Sequence, residues 1–436
     1  MANIATPQPT SLSNATEKNY TPAFIVVTGL FFMWGFLTCL NDILIPHLKA
    51  VFDLSYVQSA LIQFTFFSAY FIMSLPAGKV IAWVGYKRGI VVGLCTAGVG
   101  ALLFFPAAAT LAYPLFLGAL FVLASGITIL QVAANPYVSV LGKPETASSR
   151  LNLAQAFNSL GTTIAPYFGG LLILNVAAKT AEELKALSPD ELYAYKLAEA
   201  ASVQLPYIGL ALALFALAGV IALFNLPKIE TVEGDSEKDV KKESSFGDAL
   251  KVPHLALGAL GIFVYVGAEV SIGSFLINFI GLPEIQGLKE ADAAKYVSYY
   301  WGGAMVGRFI GSALLQKIRA GVLLGAFAGL ATLLTLLATF SSGAFAMWTV
   351  LSIGLFNSIM FPTIFTLGID GLGKLTNAGS SILIMAIVGG ALLPVAMGAI
   401  ADSSGLQSAF LLPAICYLYI VYYGFKGSAH GKLEQV

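Results

Sequence analysis

The chain has 436 residues, 58% of them hydrophobic and 11% charged, where soluble domains carry roughly 25% charged residues. Too few polar groups exist to coat a globule in water, so the composition is that of a polytopic membrane protein. Basic and acidic side chains balance at 23 each, and no basic patch is concentrated anywhere, which excludes nucleic acid as a partner.

Residues 1–20 are polar and rich in Ser, Thr and Asn. The apolar run after them is too long for the core of a signal peptide, so a cytoplasmic tail before an uncleaved first span is expected. A helix needs ~20 apolar residues to cross a bilayer, and the weak alternation of a membrane β-barrel is missing. The fold class is therefore all-α, with twelve transmembrane helices predicted at 21–47, 56–83, 88–107, 112–141, 150–175, 203–226, 254–282, 295–316, 320–340, 344–369, 377–401 and 405–425. Seventeen basic residues then fall on the side of the termini and six opposite, which places both termini in the cytoplasm.

The mixed-charge stretch "KIETVEGDSEKDVKKESSFGD" at 228–248 reads as a solvated linker. It gives an N-terminal six-helix bundle at 21–227, a cytoplasmic linker at 228–253, a C-terminal bundle at 254–425 and a tail at 426–436. "AKTAEELKALSPDELYAYKLAEA" at 178–200 is expected outside as a short surface helix. Pro136 precedes Gly142 by six residues as Pro362 precedes Gly368, and Gly161 precedes Pro166 by five as Gly389 precedes Pro394. Matched patterns 226 and 228 residues apart indicate an internal duplication. Interrupted helices at corresponding places in two halves point to a midplane site; each proline taken singly is equally a plain kink.

In chain order, the first polar group stranded in hydrocarbon is Asp42, with Asn41 beside it, in "LTCLNDILIPHL". An acid at such depth costs about 2.5–3.5 kcal/mol and by default serves a cavity, ion or substrate, so Asp42 is assigned to cation coupling, with a structural acid paired to a neighbouring helix as the alternative. Asn41 either supports it or packs the first helix. Gln131 and Asn135, at i and i+4, project two amides to one face of the fourth span. Gln155 and Asn158, at i and i+3 in the fifth, offer donors and acceptors to hydroxyls or act as polar glue between helices. Glu269, in "YVGAEVSIG" with Tyr265 one turn before it, reads as a sugar-binding carboxylate, a second coupling acid, or a partner for Arg308. Trp34, Tyr70, Trp301, Asn357 and Phe361 either complete a sugar cavity or belong to packing and the interfacial belt. His47 and His254 stand near span ends in interfacial roles, and Cys39, Cys95 and Cys416 are scattered core residues. No "GxxxxGK[ST]" and no "HExxH" occurs, which argues against an ATP-driven pump, a metalloprotease and enzymatic activity in general.

"LNDILIPHL", "QVAANPYVSVLG", "RLNLAQAFNSLG" and "FPTIFTLGIDGLG" resemble, in order along nearly the whole chain, the fucose permease and glucose/galactose transporter group of the major facilitator superfamily; "VGAEVSIGSFLINF" is closer to the glucose/galactose branch. The resemblance implies two six-helix bundles around a central cavity, alternating access, and a hexose bound near the midplane. Two departures matter. Ala82 stands where the superfamily's loop motif carries aspartate, and Gln131 where the fucose:proton symporter pattern carries a glutamate. Glutamine cannot carry a proton, and amide oxygens with one carboxylate suit a hard cation, so Asp42, Gln131 and Asn135 are expected to hold sodium. Sodium-coupled hexose symport by a monomer in the bacterial inner membrane, with no cofactor, is the leading reading. Proton coupling through Asp42, and a sugar sensor that transports nothing, are the alternatives.

Overall fold

The protein is described here by a computed structural model covering residues 20–52, 56–173, 187–201, 204–224, 226–227 and 246–429, with the side chains of 37–38, 40–60, 166–173, 199 and 291 outside the description. Asn41, Asp42 and His47 are among these. The first half comprises α1 (Thr21–Phe52), α2 (Tyr56–Ala109), α3 (Tyr113–Val140), α4 (Ala147–Ile173), α5 (Pro189–Ala201) and α6 (Gln204–Leu223). After the short α7 (Phe246–Leu250), the second half comprises α8 (Pro253–Gly281), α9 (Glu290–Leu314), α10 (Ala320–Phe340), α11 (Gly343–Asn357), α12 (Met360–Ile369), α13 (Thr376–Met385), α14 (Gly389–Ser404), α15 (Leu406–Ala409) and α16 (Leu411–Tyr422). All regular structure in the described residues is helical, as hydrocarbon demands of a chain that must satisfy its own backbone.

The spans expected at 56–83 and 88–107 are both present, joined end to end across a kink at Gly85 in α2. Its 54 residues would extend roughly 80 Å if straight, against a hydrocarbon core of about 30 Å. It folds back at Gly85, whose φ of 79° is one that only glycine adopts without cost, so it counts as two crossings. Conversely the tenth span is broken at Ser358–Ile359 between α11 and α12, and the eleventh passes through a 3-10 turn at Ala386–Val388 between α13 and α14. Among the described residues, eight stretches are long and apolar enough to cross a membrane. With α2 counted twice, and with α1, α4 and α9, twelve crossings result.

The surface helix expected at 178–200 is seen from Pro189 as α5, started by a capping box: Ser188 Oγ donates to Glu191 Oε2 at 2.7 Å and the Ser188 N–H to the same oxygen at 2.9 Å. His254 stands in the first turn of α8, at the end of a span as expected. It is buried, and its Nε2 donates to the Asp370 carbonyl at 2.9 Å. Cys416 is buried as expected, whereas Cys39 and Cys95 are only half-buried.

The duplication extends to local structure. A 3-10 turn at Pro144–Thr146 leads into α4, and one at Gly373–Leu375 leads into α13, 229 residues later. Gly161 of α4 touches α1 so closely that an added Cβ would collide with the Phe32 carbonyl. Gly389 at the start of α14 stands likewise against the Phe263 carbonyl of α8. Gly161→Ala and Gly389→Ala are each expected to destabilise the protein by ~1–3 kcal/mol through overpacking, read as a lowered Tm in detergent. Gly209→Ala, with nothing within 4 Å, is the control that leaves Tm unchanged or raised.

Between the halves runs a polar seam. Ser148 Oγ and Thr366 Oγ1 lie 2.6 Å apart, Ser149 Oγ donates to the Ser312 carbonyl at 2.8 Å, Ser312 Oγ returns a bond to the Ser149 carbonyl at 2.9 Å, and Asn152 Nδ2 reaches Thr363 Oγ1 at 3.1 Å. With twelve crossings, the turns beside these residues (α3–α4, α9–α10 and α12–α13) all lie on the side from which α1 starts. The seam continues to mid-depth, where Thr163 meets Met305 at 3.5 Å. Gly390 there stands against Phe67, so closely that an added Cβ would lie 2.8 Å from its ring. Among the described residues no hydrogen bond joins the halves beyond that depth. The protein is closed on the side of its termini.

Candidate functional site

Two polar clusters sit at the level where the seam ends. In the first half, α3 places Gln131 and Asn135 one turn apart, and both are buried. Gln131 Nε2 donates to the Tyr70 hydroxyl of α2 at 2.7 Å, which joins an expected coupling residue to an expected sugar residue. Gln131 Oε1 and both polar side-chain atoms of Asn135 are buried with no hydrogen-bond partner among the described residues. Unsatisfied buried polar atoms cost about 1–3 kcal/mol each, and here two acceptors and one donor cluster on one helix face.

Gln155 and Asn158 separate in role. Asn158 Nδ2 donates to the Phe31 carbonyl of α1 at 2.9 Å, so it ties α4 to α1, the polar-glue alternative. Gln155 is buried one turn from Asn152, whose own amide bonds Thr363 across the seam. Trp34 is nearly buried, its ring 5.3 Å from that of Phe31.

The second half holds a tighter network. Tyr265 of α8 donates its hydroxyl to the Asn357 carbonyl at 3.0 Å, and Asn357 Nδ2 donates to the Tyr300 hydroxyl of α9 at 2.7 Å. Tyr417 of α16 is buried beside Asn357. Glu269 is half-buried one turn beyond Tyr265, with the Tyr265 hydroxyl and the Arg308 guanidinium as its electrostatic neighbours. No ion pair within 4 Å is formed with Arg308. The described ion pairs are Lys251–Asp248 and Lys295–Asp292, both exposed. The Arg308 guanidinium is engaged elsewhere: its Nε donates to the Ser358 carbonyl at 3.1 Å, and its Nη1 donates to Ser159 Oγ across the seam.

Trp301 keeps 44% of its surface exposed and lies against α8 at Gly273, 3.0 Å from where a Cβ would stand. Gly273 is one turn past Glu269, so an aromatic face and a carboxylate share one side of α8. Phe361 is half-buried, its ring 6.1 Å from that of Phe365.

Sequence reasoning missed Tyr300, Tyr417, Asn152 and Thr363. For Asn152 a signal exists: Ser148, Asn152, Gln155 and Ser159 recur at helical spacing in an otherwise apolar span. Tyr300 and Tyr417 carry none, because a membrane tyrosine is polar or packing according to partners far away in the chain.

Taken together, these features amount to carboxamides and a carboxylate with flanking aromatics, on two halves that, among the described residues, are hydrogen-bonded to each other on one side only. Such a site can bind a small polyhydroxylated solute by hydrogen bonds and stacking, with a cation beside it.

The model of the Major Facilitator Superfamily matches residues 23–387. The "Glucose/galactose transporter" of Brucella abortus biovar 1 (strain 9-941) is 56% identical over 426 residues, covering 98% of this chain and 99% of that protein. The "L-fucose-proton symporter" of Escherichia coli (strain K12) is 37% identical, covering 93% and 92%. Among solved structures, that of the transporter FucP in the outward conformation superposes with a TM-score of 0.86 at 37% identity, covering 93% of this chain and 98% of that one. All three are named as transporters or symporters, in line with the reading that the chain is not an enzyme.

Proposed function

Since the chain belongs to the Major Facilitator Superfamily, we propose that it is a secondary-active, cation-coupled symporter of a hexose of the glucose and galactose type, working by alternating access. The observation that carries this is the pairing of a carboxamide cluster in one half with a carboxylate–tyrosine–asparagine cluster in the other, at the depth where a one-sided seam ends. Binding both solutes there, and exchanging access only when the site is empty or fully loaded, gives coupling without covalent chemistry. The 56% identical relative supports the hexose type.

Glu269, Tyr265, Asn357, Phe361, Tyr70, Trp34, Trp301 and Gln155 bind the sugar in this proposal, with Asn158 holding α4 against α1. Asp42 and Asn41, with Gln131 and Asn135, take the cation. Sodium is supported by Gln131 standing in place of a carboxylic acid and by the buried acceptors on α3. The proton is supported by the relative named L-fucose-proton symporter, and the comparisons lend sodium nothing of their own. The protein lies in the inner membrane of a bacterium as a monomer. Its closed side and both termini face the cytoplasm, as the seventeen basic residues on that side favour. The bundles at 21–227 and 254–425 are the moving bodies, and 228–253 is their linker.

Uptake of labelled hexoses into proteoliposomes under separate sodium and proton gradients is the test. The expected result is accumulation of glucose or galactose driven by sodium at fixed pH and surviving a proton uncoupler. Accumulation that follows the pH gradient and ignores sodium assigns the proton instead. A protein that binds sugar but shows no counterflow of labelled against unlabelled hexose is a sensor, and the transport reading falls.

A further inference from the structure

The duplicated prolines Pro136 and Pro362 each remove a helical donor, and both orphaned carbonyls are taken by side chains at the closed seam. Proline has no N–H to give the carbonyl four residues before it. For Pro136 that carbonyl is Val132, fully buried, and it accepts from Ser380 Oγ of α13 at 3.0 Å, from the opposite half. For Pro362 it is Ser358, and it accepts from Arg308 Nε at 3.1 Å, while the same guanidinium reaches across to Ser159.

The pairing is selective. Pro76, Pro106 and Pro394 also lie inside helices. Among the described residues no side chain donates to the carbonyls of Ile72, Leu102 or Gly390. The two prolines served by a side chain form one of the two proline pairs that the duplication relates, the pair 226 residues apart; Pro394, of the other pair, is not served.

We propose that Ser380 and Arg308 are positioning residues of the transport cycle, which latch the closed side by using the carbonyls that Pro136 and Pro362 set free. In the first half the freed carbonyl receives a hydroxyl from across the seam. In the second it anchors a guanidinium and aims it across the seam. When the halves part on this side, the Ser380 bond is exchanged for water, so the latch biases the resting protein toward the closed arrangement by the net worth of a hydrogen bond, about five-fold in population.

The latch rests on the alternating-access reading, but its test needs neither sugar nor an ion gradient. Spin labels are placed at Lys143→Cys and Lys317→Cys, exposed positions on the closed side of either half, in full-length protein lacking Cys39, Cys95 and Cys416 and reconstituted in proteoliposomes. The ratio of long to short label separations is then read by pulsed electron resonance. Ser380→Ala is expected to raise that ratio about five-fold, and Ser380→Thr to leave it at the parent value. In a Pro136→Ala background, where residue 136 regains an N–H for Val132, Ser380→Ala is expected to have little further effect, the non-additivity that marks a shared partner. If Pro136→Ala does not fold, Ser380→Thr and Ser380→Val form a pair of equal shape differing in the hydroxyl, and the ratio must differ between them. Two populations whose ratio ignores Ser380, or a five-fold effect undiminished by Pro136→Ala, would overturn the latch and leave alternating access standing. One unchanging separation in the parent and every variant would overturn both.

Discussion

Asp42→Asn is expected to abolish concentrative uptake while sparing counterflow of sugar. The reason lies in what a coupled cation contributes: one elementary charge moved through 100 mV is worth about 2.3 kcal/mol, or about fifty-fold in accumulation. A carboxylate sustains that coupling because it carries the compensating charge for the ion. The isosteric amide keeps the shape and some of the hydrogen bonding but has no charge to lend and, unlike an acid, no proton to release. The sugar contacts proposed in the second half, around Glu269 and Asn357, are untouched by this change. Accumulation of labelled hexose against its gradient should therefore fall to equilibration, with counterflow continuing. Gradient-driven accumulation at the parent level in Asp42→Asn would remove Asp42 from the coupling site, whichever ion is used.

Glu269→Ala should weaken sugar binding by ten- to hundred-fold, the range given by losing hydrogen bonds to a charged acceptor. Glu269 is the acid of the second-half cluster, half-buried and without an ion pair within 4 Å. Its oxygens are thus not committed to a guanidinium and can accept from adjacent sugar hydroxyls, with the Trp301 ring one turn away as an apolar platform. Glu269→Gln retains one carbonyl acceptor and should lose less. Isothermal titration of detergent-purified protein with glucose and galactose, at saturating cation, measures both. Unaltered sugar affinity accompanied by a lost response to the cation would move Glu269 to the coupling function instead.

The helical architecture could be read from the chain because bilayer spans leave long apolar runs, and the duplication because proline and glycine act locally wherever they stand. Gln131 and Asn135 were legible for a similar reason, since polar amides one turn apart in hydrocarbon have few innocent explanations. Other features depend on encounters between distant segments. Nothing near Asn158 announces that its amide meets the Phe31 carbonyl rather than a ligand. Tyr300 becomes part of the site only through Asn357, 57 residues away. The chain around Gly85 reads as a loop between two spans because "GYKR" is polar. The structure has two helices meeting there at a kink on Gly85, so the division into two spans was legible and only the shortness of the connection was not.

The glycine crossings carry a mechanical consequence. With α4 pressed on the α1 backbone at Gly161, and α14 on the α8 backbone at Gly389, each half has a close crossing that resists internal shear and favours the proposed motion of each half as one lever. A lever needs a fulcrum, and the meeting of Thr163 with Met305 and of Phe67 with Gly390 supplies two points at mid-depth, on different helix pairs, that define a rocking axis through the site itself. In the alternating-access cycle proposed above, displacement is smallest at that axis and grows with distance from it, so the bound solutes would travel least and the helix ends farthest from mid-depth most.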